Sequence, residues 1–165
     1  MLKWLLITPV ALGVLALAAG QAGLLRGQMP TDLGLRDGRL KAPSATDNSV
    51  SSQAALWPDQ PQAAAAQIAP LGWIGQPPDG RATLDRVEAI VRALPRAQIV
   101  KREADYLQAT VTTQLMKYTD DLEFWLDRGQ GVVHVGSASR LGRKDLGVNR
   151  ARVEAIRQQL AGRAS

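Results

Sequence analysis

QIVKREADYLQATVTTQLMKYTDDLEFWLDRGQGVVHVGSAS, residues 98–139, decides the fold. Its apolar residues alternate, and its β-branched and aromatic content is high, so it reads as strands rather than helix. QIVKR at 98–102 is the first strand. From Tyr106 to Leu115, the residues Leu107, Ala109, Val111, Thr113 and Leu115 share one face. From Tyr118 to Leu126, Leu122, Phe124 and Leu126 alternate with Asp121, Glu123 and Trp125. A turn at Arg128-Gly129 leads into GVVHVGSAS. The links are short, so consecutive strands pair antiparallel.

Working outward, IAPLGW at 68–73 is a short extended piece that Pro70 confines to a sheet edge. PPDG at 77–80 is a turn. Thr83 then caps a helix that Pro95 stops after Leu94, with Leu84, Val87, Ile90, Val91 and Leu94 as its apolar stripe. A last helix runs from about Arg150 to Ala161. Asn149 is its cap, Val148 and Val153 its staple, and Val153, Ile156 and Leu160 its buried face. The order β-α-β-β-β-β-α predicts an α+β domain over 68–163: a mostly antiparallel sheet with two helices packed on one face. That order is TATA-binding-protein-like, an analogy of fold that carries no function.

The N-terminus reads differently. Lys3 is followed by WLLITPVALGVLALAAGQAGLL, uncharged until Arg26. A helix of about 20 apolar residues crosses a bilayer of about 30 Å. Residues 1–26 are therefore expected to form a hydrophobic helix acting as a signal anchor in a bacterial inner membrane, with the C-terminal domain periplasmic. The alternative is a cleaved signal peptide, with Ala16-Leu17-Ala18 as the cleavage site and the domain released to the periplasm. Residues 27–67 carry Gly, Pro, Ser, Asp and Asn without an apolar period, and read as a tether that contains two motif-like segments, GLRDGRLK and PSATDNSVSSQA.

Composition narrows the chemistry. The 165 residues are 45% hydrophobic and 21% charged, and include no cysteine, which excludes disulfides, thiolate metal sites and a cysteine nucleophile. His134 is the only histidine, which excludes a multi-histidine metal site. Aromatics make up 4%, too few for a series of base-stacking platforms, and no nucleic-acid partner is expected. No cofactor motif is present. From Gln130 onward, Arg140, Arg143, Lys144, Arg150, Arg152, Arg157 and Arg163 face only Asp145 and Glu154, and this surplus accounts for the whole net charge of +5. A basic end beside a membrane could meet anionic headgroups.

With the last hairpin's turn centred between Arg128 and Gly129, Phe124 faces Val133 and Leu122 faces Val135 on the core side. Glu123 then faces His134, Asp121 faces Gly136, and Asp120 faces Ser137. The far end of this hairpin gathers Asp120, Asp121, Ser137, Ser139 and Arg140. Asp145, Asn149 and Arg150 can fold back onto it.

DDLEFWLD, VGSASRLG and KDLGVNRARVE, with the earlier PSATDNSVSSQA and GLRDGRLK, resemble the bacterial and plastid family called domain of unknown function 1499. The resemblance covers roughly Leu33 to Leu160. It implies an envelope-associated or lumenal domain with no assigned reaction. It places the family pattern on Asn48, Ser51, Ser52, Asp120, Asp121, Glu123, Ser137, Ser139, Arg140, Asp145, Gly147, Asn149 and Arg150. The chain departs from that pattern at Ala42 and Ser49, where many relatives carry cysteine, at Asp47, often proline, and at Gly136, commonly arginine.

These residues support two classes of function. The first is a non-catalytic binding or scaffolding module, in which Ser137, Ser139, Arg140, Asn149 and Arg150 accept an anionic ligand or lipid headgroup. The second is an enzyme using Asp120 or Asp121 with Ser137, Ser139 or Arg140, which requires those groups to converge in one pocket. Plainer expectations stand beside both: a solvated acidic strand over 120–123, a surface Glu123–His134 pair, an Arg140–Asp120 bridge, and Ser51 and Ser52 locking the tether onto the domain.

Overall fold

The computed structural model describes residues 2–75 and 78–162, with side chains from residue 8 on. Pro77 of the expected turn and Arg163 of the basic end lie outside the described residues. At the centre is β5 (Thr119–Asp127), hydrogen-bonded to β4 (Tyr106–Thr112) on one side and β6 (Val132–Ser139) on the other. β3 (Ala97–Arg102) closes one edge of this antiparallel sheet. At the other edge, β1 (Ser49–Ser51) and β2 (Leu71–Gly72) pair with successive parts of β6. The helices are α1 (Leu2–Gln21), the one-turn α2 (Ala63–Ala66), α3 (Gly80–Ala93) and α4 (Val148–Ala161). From β2 onward the element order is the expected one.

One face of the sheet carries Leu107, Ala109, Leu122, Phe124, Leu126, Val133 and Val135. These form one core with Leu84, Val87, Ile90 and Val91 of α3 and with Val153, Ile156 and Leu160 of α4. Fully burying each large side chain there stabilises the fold by about 1.5–3 kcal/mol. Helix α3 begins earlier than expected. Asp79, not Thr83, is its N-cap, accepting from the Arg81 and Ala82 N–H groups, while the buried Thr83 hydroxyl donates to Asp79 O and accepts from Ile74 N. Gly80 fits there because a Cβ would run into Trp73 and Leu126.

The opposite face is not open to solvent. The segment expected to be a tether wraps across it. Leu40 is buried and reaches Gly136. Gly34 N donates to Glu123 Oε1 at 2.7 Å. Gln53 clamps the wrap to itself, accepting from Leu40 N and donating to Gly38 O. The segment is held by backbone-to-side-chain hydrogen bonds, so it shows no apolar period and its sequence resembles that of a loop. Its strand β1 supplies a sheet edge, and Ser52 continues that edge: Ser52 N donates to Val135 O, and Ser52 Oγ accepts from Val135 N at 2.9 Å. Ser51 O accepts from Ile68 N, which fixes the approach to β2.

The last hairpin is shifted from the expected register by two residues. Phe124 faces Val135, Leu122 faces Ser137, Trp125 faces His134, Glu123 faces Gly136, Asp121 faces Ala138 and Asp120 faces Ser139. The cause is Asp127. Its carboxylate accepts from the N–H groups of Gly129 and Gln130, and its carbonyl accepts from Gly131 N, which has a φ of 68°. This turn chemistry moves the loop centre toward Gln130. Because the shift is even, every side chain keeps its face.

β4 also ends before its expected limit. Thr113 and Tyr118 close the turn to β5, leaving Thr113 and Leu115 exposed rather than in the core. Helix α1 ends on this turn. Gln21 Nε2 donates to Leu115 O, and a Cβ at Gly20 would meet the Met116 backbone at 2.9 Å. Val10, Leu12, Val14 and Leu15, which point in different directions around the helix, are all exposed. Among the described residues, no helix is long and apolar enough to cross a membrane.

Candidate functional site

Because β5 alternates, its acidic residues separate into two groups. Asp120, Asp121 and Glu123 are each only 3–4% exposed, so this is not a solvated acidic strand. Asp120 points to the helix-covered side, and Asp121 and Glu123 to the wrapped side.

On the helix side, Arg152 Nη2 donates to Asp120 Oδ2 at 2.6 Å, and Nη1 donates to Asn149 Oδ1 at 2.8 Å. Ser137 Oγ donates to the same Asn149 oxygen, while Asn149 Nδ2 donates to Ser139 Oγ and Asn48 O. Asn149 is thus fully buried inside the first turn of α4 and does not cap it. Gly147 takes the cap position with a φ of 79°, and Asp145 accepts from Gly147 N and Asn149 N. Burial pushes the Asp145 carboxyl up, but these donors outweigh it and hold it below its ordinary value. Val148 is half exposed, so it does not act as a staple. Arg150 donates to the carbonyls of Ala65 and Gln67 and so anchors the end of α2.

On the wrapped side, Arg140 makes a bidentate pair with Asp121, at 2.8 and 2.7 Å. Its expected partner, Asp120, lies on the other face of β5. The hydrogen bonds to Asp121 raise the Arg140 pKa further. Glu123 accepts from Tyr106 Oη and Gly34 N, both at 2.7 Å and both on Oε1. Burial pushes its carboxyl up, as does Asp121; these donors and Lys41 oppose the shift without cancelling it. Burial and the Glu123 charge likewise push the Tyr106 phenol up.

His134 does not pair with Glu123. Its ring stacks on Trp125 with centroids 5.3 Å apart, Nδ1 lies 3.1 Å from Ser52 Oγ, and Nε2 lies 3.7 Å from Asp127. Ser52 Oγ accepts from Val135 N and shares a second hydrogen bond with Nδ1, the donor of which depends on the tautomer. Burial lowers the His134 pKa, with Asp127 opposing. Ser52 is a buried edge clamp, and Ser51 Oγ accepts from Gln53 N.

A cavity of about 330 Å³ lies between the wrap and the sheet. Lys41, Asn48, Asp121, Glu123, Gly136 and Arg140 are among its lining. Among the described residues, no group of three His, Asp or Glu side chains is placed to hold a metal ion.

Residues 39–160 match the family model described as Protein of unknown function (DUF1499). The chain belongs to this family. No curated protein and no solved structure matches it. The DUF1499 pattern falls on both faces of the sheet: Asn48, Asp121, Glu123, Ser137, Ser139 and Arg140 line the cavity, and Asp120 and Asn149 lie on the helix-packed face. Of the constellation of Asp120 or Asp121 with Ser137, Ser139 and Arg140, the residues Asp121, Ser137, Ser139 and Arg140 all line the cavity, while Asp120 projects from the other face of β5 to Arg152. Arg152 and Tyr106 are participants outside the expected site residues, and Gln53 and Leu40, inside the segments PSATDNSVSSQA and GLRDGRLK, have roles there that the sequence alone does not assign. Arg152 was recoverable, since it follows Asn149 by three residues and so shares its helix face. The Gly136 position faces Glu123, not Asp121.

Proposed function

We propose that this DUF1499 chain is a membrane-tethered, non-catalytic module that binds a small molecule in the cavity between its wrap and its sheet. The observation that carries this reading is the cavity itself: a concave, mixed polar and apolar space at the lower end of the usual ligand-pocket size, lined by buried polar side chains. The buried arginines support a cavity ligand over an anion at the polar cluster. Arg140 and Arg152 are already neutralised by Asp121 and Asp120. The tether reading is supported by the uncharged run from Trp4 to Leu25 and by the exposure of α1 apolar residues all round the helix. A helix apolar on every side is covered by protein or by lipid. Beside the end of α1, Leu24, Leu115, Leu141, Leu146 and Val148 are exposed near Arg143 and Lys144, a surface suited to an anionic bilayer. The domain then faces the periplasm of a bacterial inner membrane.

The test is a ligand screen by native mass spectrometry on the full chain in nonionic micelles, with Gly136→Leu as the filled-cavity control. A cavity ligand binds the parent and not the variant. Equal binding to both refutes the site.

A further inference from the structure

The cavity's polar groups are unequally satisfied, and this imbalance specifies the ligand's charge. Of its ionic side chains, Asp121 is matched by Arg140, and Lys41 by Asp32 at 2.7 Å. Glu123 has no counter-ion of its own among the described residues. Both of its donors, Tyr106 Oη and Gly34 N, bond Oε1, and Oε2 takes no hydrogen bond among the described residues. Asn48, which also lines the cavity, carries a second unpartnered acceptor. Its amide nitrogen donates to Gly142 O at 2.7 Å and Ser139 O at 3.3 Å, which fixes the amide orientation. Its Oδ1 is buried and without a partner among the described residues, and Asn48 itself is 5% exposed. A buried acceptor without a donor is destabilising, and a buried charge without a counter-ion more so. Floor space is available, since a Cβ at Gly136, directly across from Glu123, would meet only Leu40 Cδ1 at 3.9 Å.

Resting on the reading of the cavity as a ligand site, we infer that it recognises a compact organic cation bearing N–H donors, an ammonium or guanidinium group, with Glu123 as its counter-ion and Asn48 Oδ1 as a second acceptor. A bare metal ion is a poor match. Calcium takes six to eight oxygen ligands, and the cavity offers two open ones in a space far larger than an ion. An anion fits worse, because both of its cationic walls are already paired.

The probe is ethylguanidinium, titrated by calorimetry into the full chain in nonionic micelles at constant ionic strength, with propionate and methylurea as anionic and neutral controls of similar size. Ethylguanidinium is expected to bind the parent, and Glu123→Gln to weaken it by about tenfold or more, the scale of one lost charged contact. The amide keeps an oxygen for Tyr106 and Gly34, so the variant retains its fold. A second variant, Gly136→Lys, places a tethered ammonium on the cavity floor; it is expected to abolish ethylguanidinium binding and to raise the melting temperature. Binding of propionate or methylurea but not ethylguanidinium overturns the cation assignment and leaves the cavity reading standing. Undiminished binding by Glu123→Gln also overturns it. If no probe binds, and the broader screen finds no ligand that Gly136→Leu excludes, both readings fall.

Discussion

Replacing Arg152 by alanine strands Asp120. The two side chains are 11% and 6% exposed, and the guanidinium contacts Asp120 at 2.6 Å while also donating to Asn149. Removing one member of a buried pair typically costs about 3–5 kcal/mol, mostly because the remaining charge has neither water nor partner. Arg152→Ala is therefore expected to lose about that much, and adding Asp120→Asn to recover a large share, because the stranded charge is gone. The same holds for Arg140 with Asp121, at 13% and 3% exposure. The crossed combination differs. Asp120 and Arg140 share no partner and lie on opposite faces of β5, so their coupling is expected below about 1 kcal/mol. The assay is urea unfolding of the full chain in nonionic micelles, with double-mutant cycles for Asp120–Arg152, Asp121–Arg140 and Asp120–Arg140. Coupling in the crossed cycle as large as in the matched ones would refute the division of charges by strand face.

Other measurements test separate parts of the structure. Glu123 carries a raised carboxyl pKa, so the folded chain holds that proton more tightly than the unfolded chain does. Its contribution is present at low pH and is lost as pH rises from about 4.5, and Glu123→Gln should raise the neutral-pH urea midpoint and flatten that slope. Ser52→Ala removes both the acceptor for Val135 N and the hydrogen-bond partner of His134 Nδ1, and should cost about 1–3 kcal/mol in the same unfolding assay. Phe124→Ala should cost about 3–5 kcal/mol, and Trp125→Ala clearly less, since only Phe124 sits in the helix-side core; equal losses would contradict the strand phase. Alkaline phosphatase fused after Ser165 should be active in cells and sediment with membranes; a silent phosphatase fusion with an active cytoplasmic reporter would reverse the orientation.

The sheet and its two long helices were legible because each depends on periodicity. Leu122, Phe124 and Leu126 alternate, and Val153, Ile156 and Leu160 recur at helical spacing. The hairpin register was not legible, since it depends on which residue organises the turn; Asp127 does so with its side chain, and no apolar count reveals that. The two-face division of the acidic strand was available from alternation alone. Asp120 alternates in phase with Leu122 and Phe124, and Ser137 and Ser139 with Val133 and Val135, whereas Asp121 and Arg140 fall out of phase with these apolar residues, so the Arg140–Asp121 pair follows once the apolar face is known. The wrap over 30–57 escaped because its hold is polar. Gln53, Ser52 and Gly34 act through hydrogen bonds to residues distant in the sequence, and such bonds leave no period in it.

The family pattern therefore contains two kinds of residue, and the distinction bears on how variants are read. Asn149, Ser137, Ser139, Arg140, Asp145 and Ser52 have their hydrogen-bonding groups committed to the fold, and substituting them would abolish any activity by loosening the wrap or the start of α4. Asn48 and Glu123 differ in one respect: each is held in place by one part of its polar group and presents an uncommitted acceptor with the other. Asn48 Nδ2 is fixed to Gly142 and Ser139, and Glu123 Oε1 by Tyr106 and Gly34, while Asn48 Oδ1 and Glu123 Oε2 have no hydrogen-bond partner among the described residues. An oriented group with one open valence is what a binding site requires, because its position is fixed before the ligand arrives. Loss of binding at Glu123 with stability retained or raised would thus separate recognition from folding, which substitutions at the committed residues cannot do.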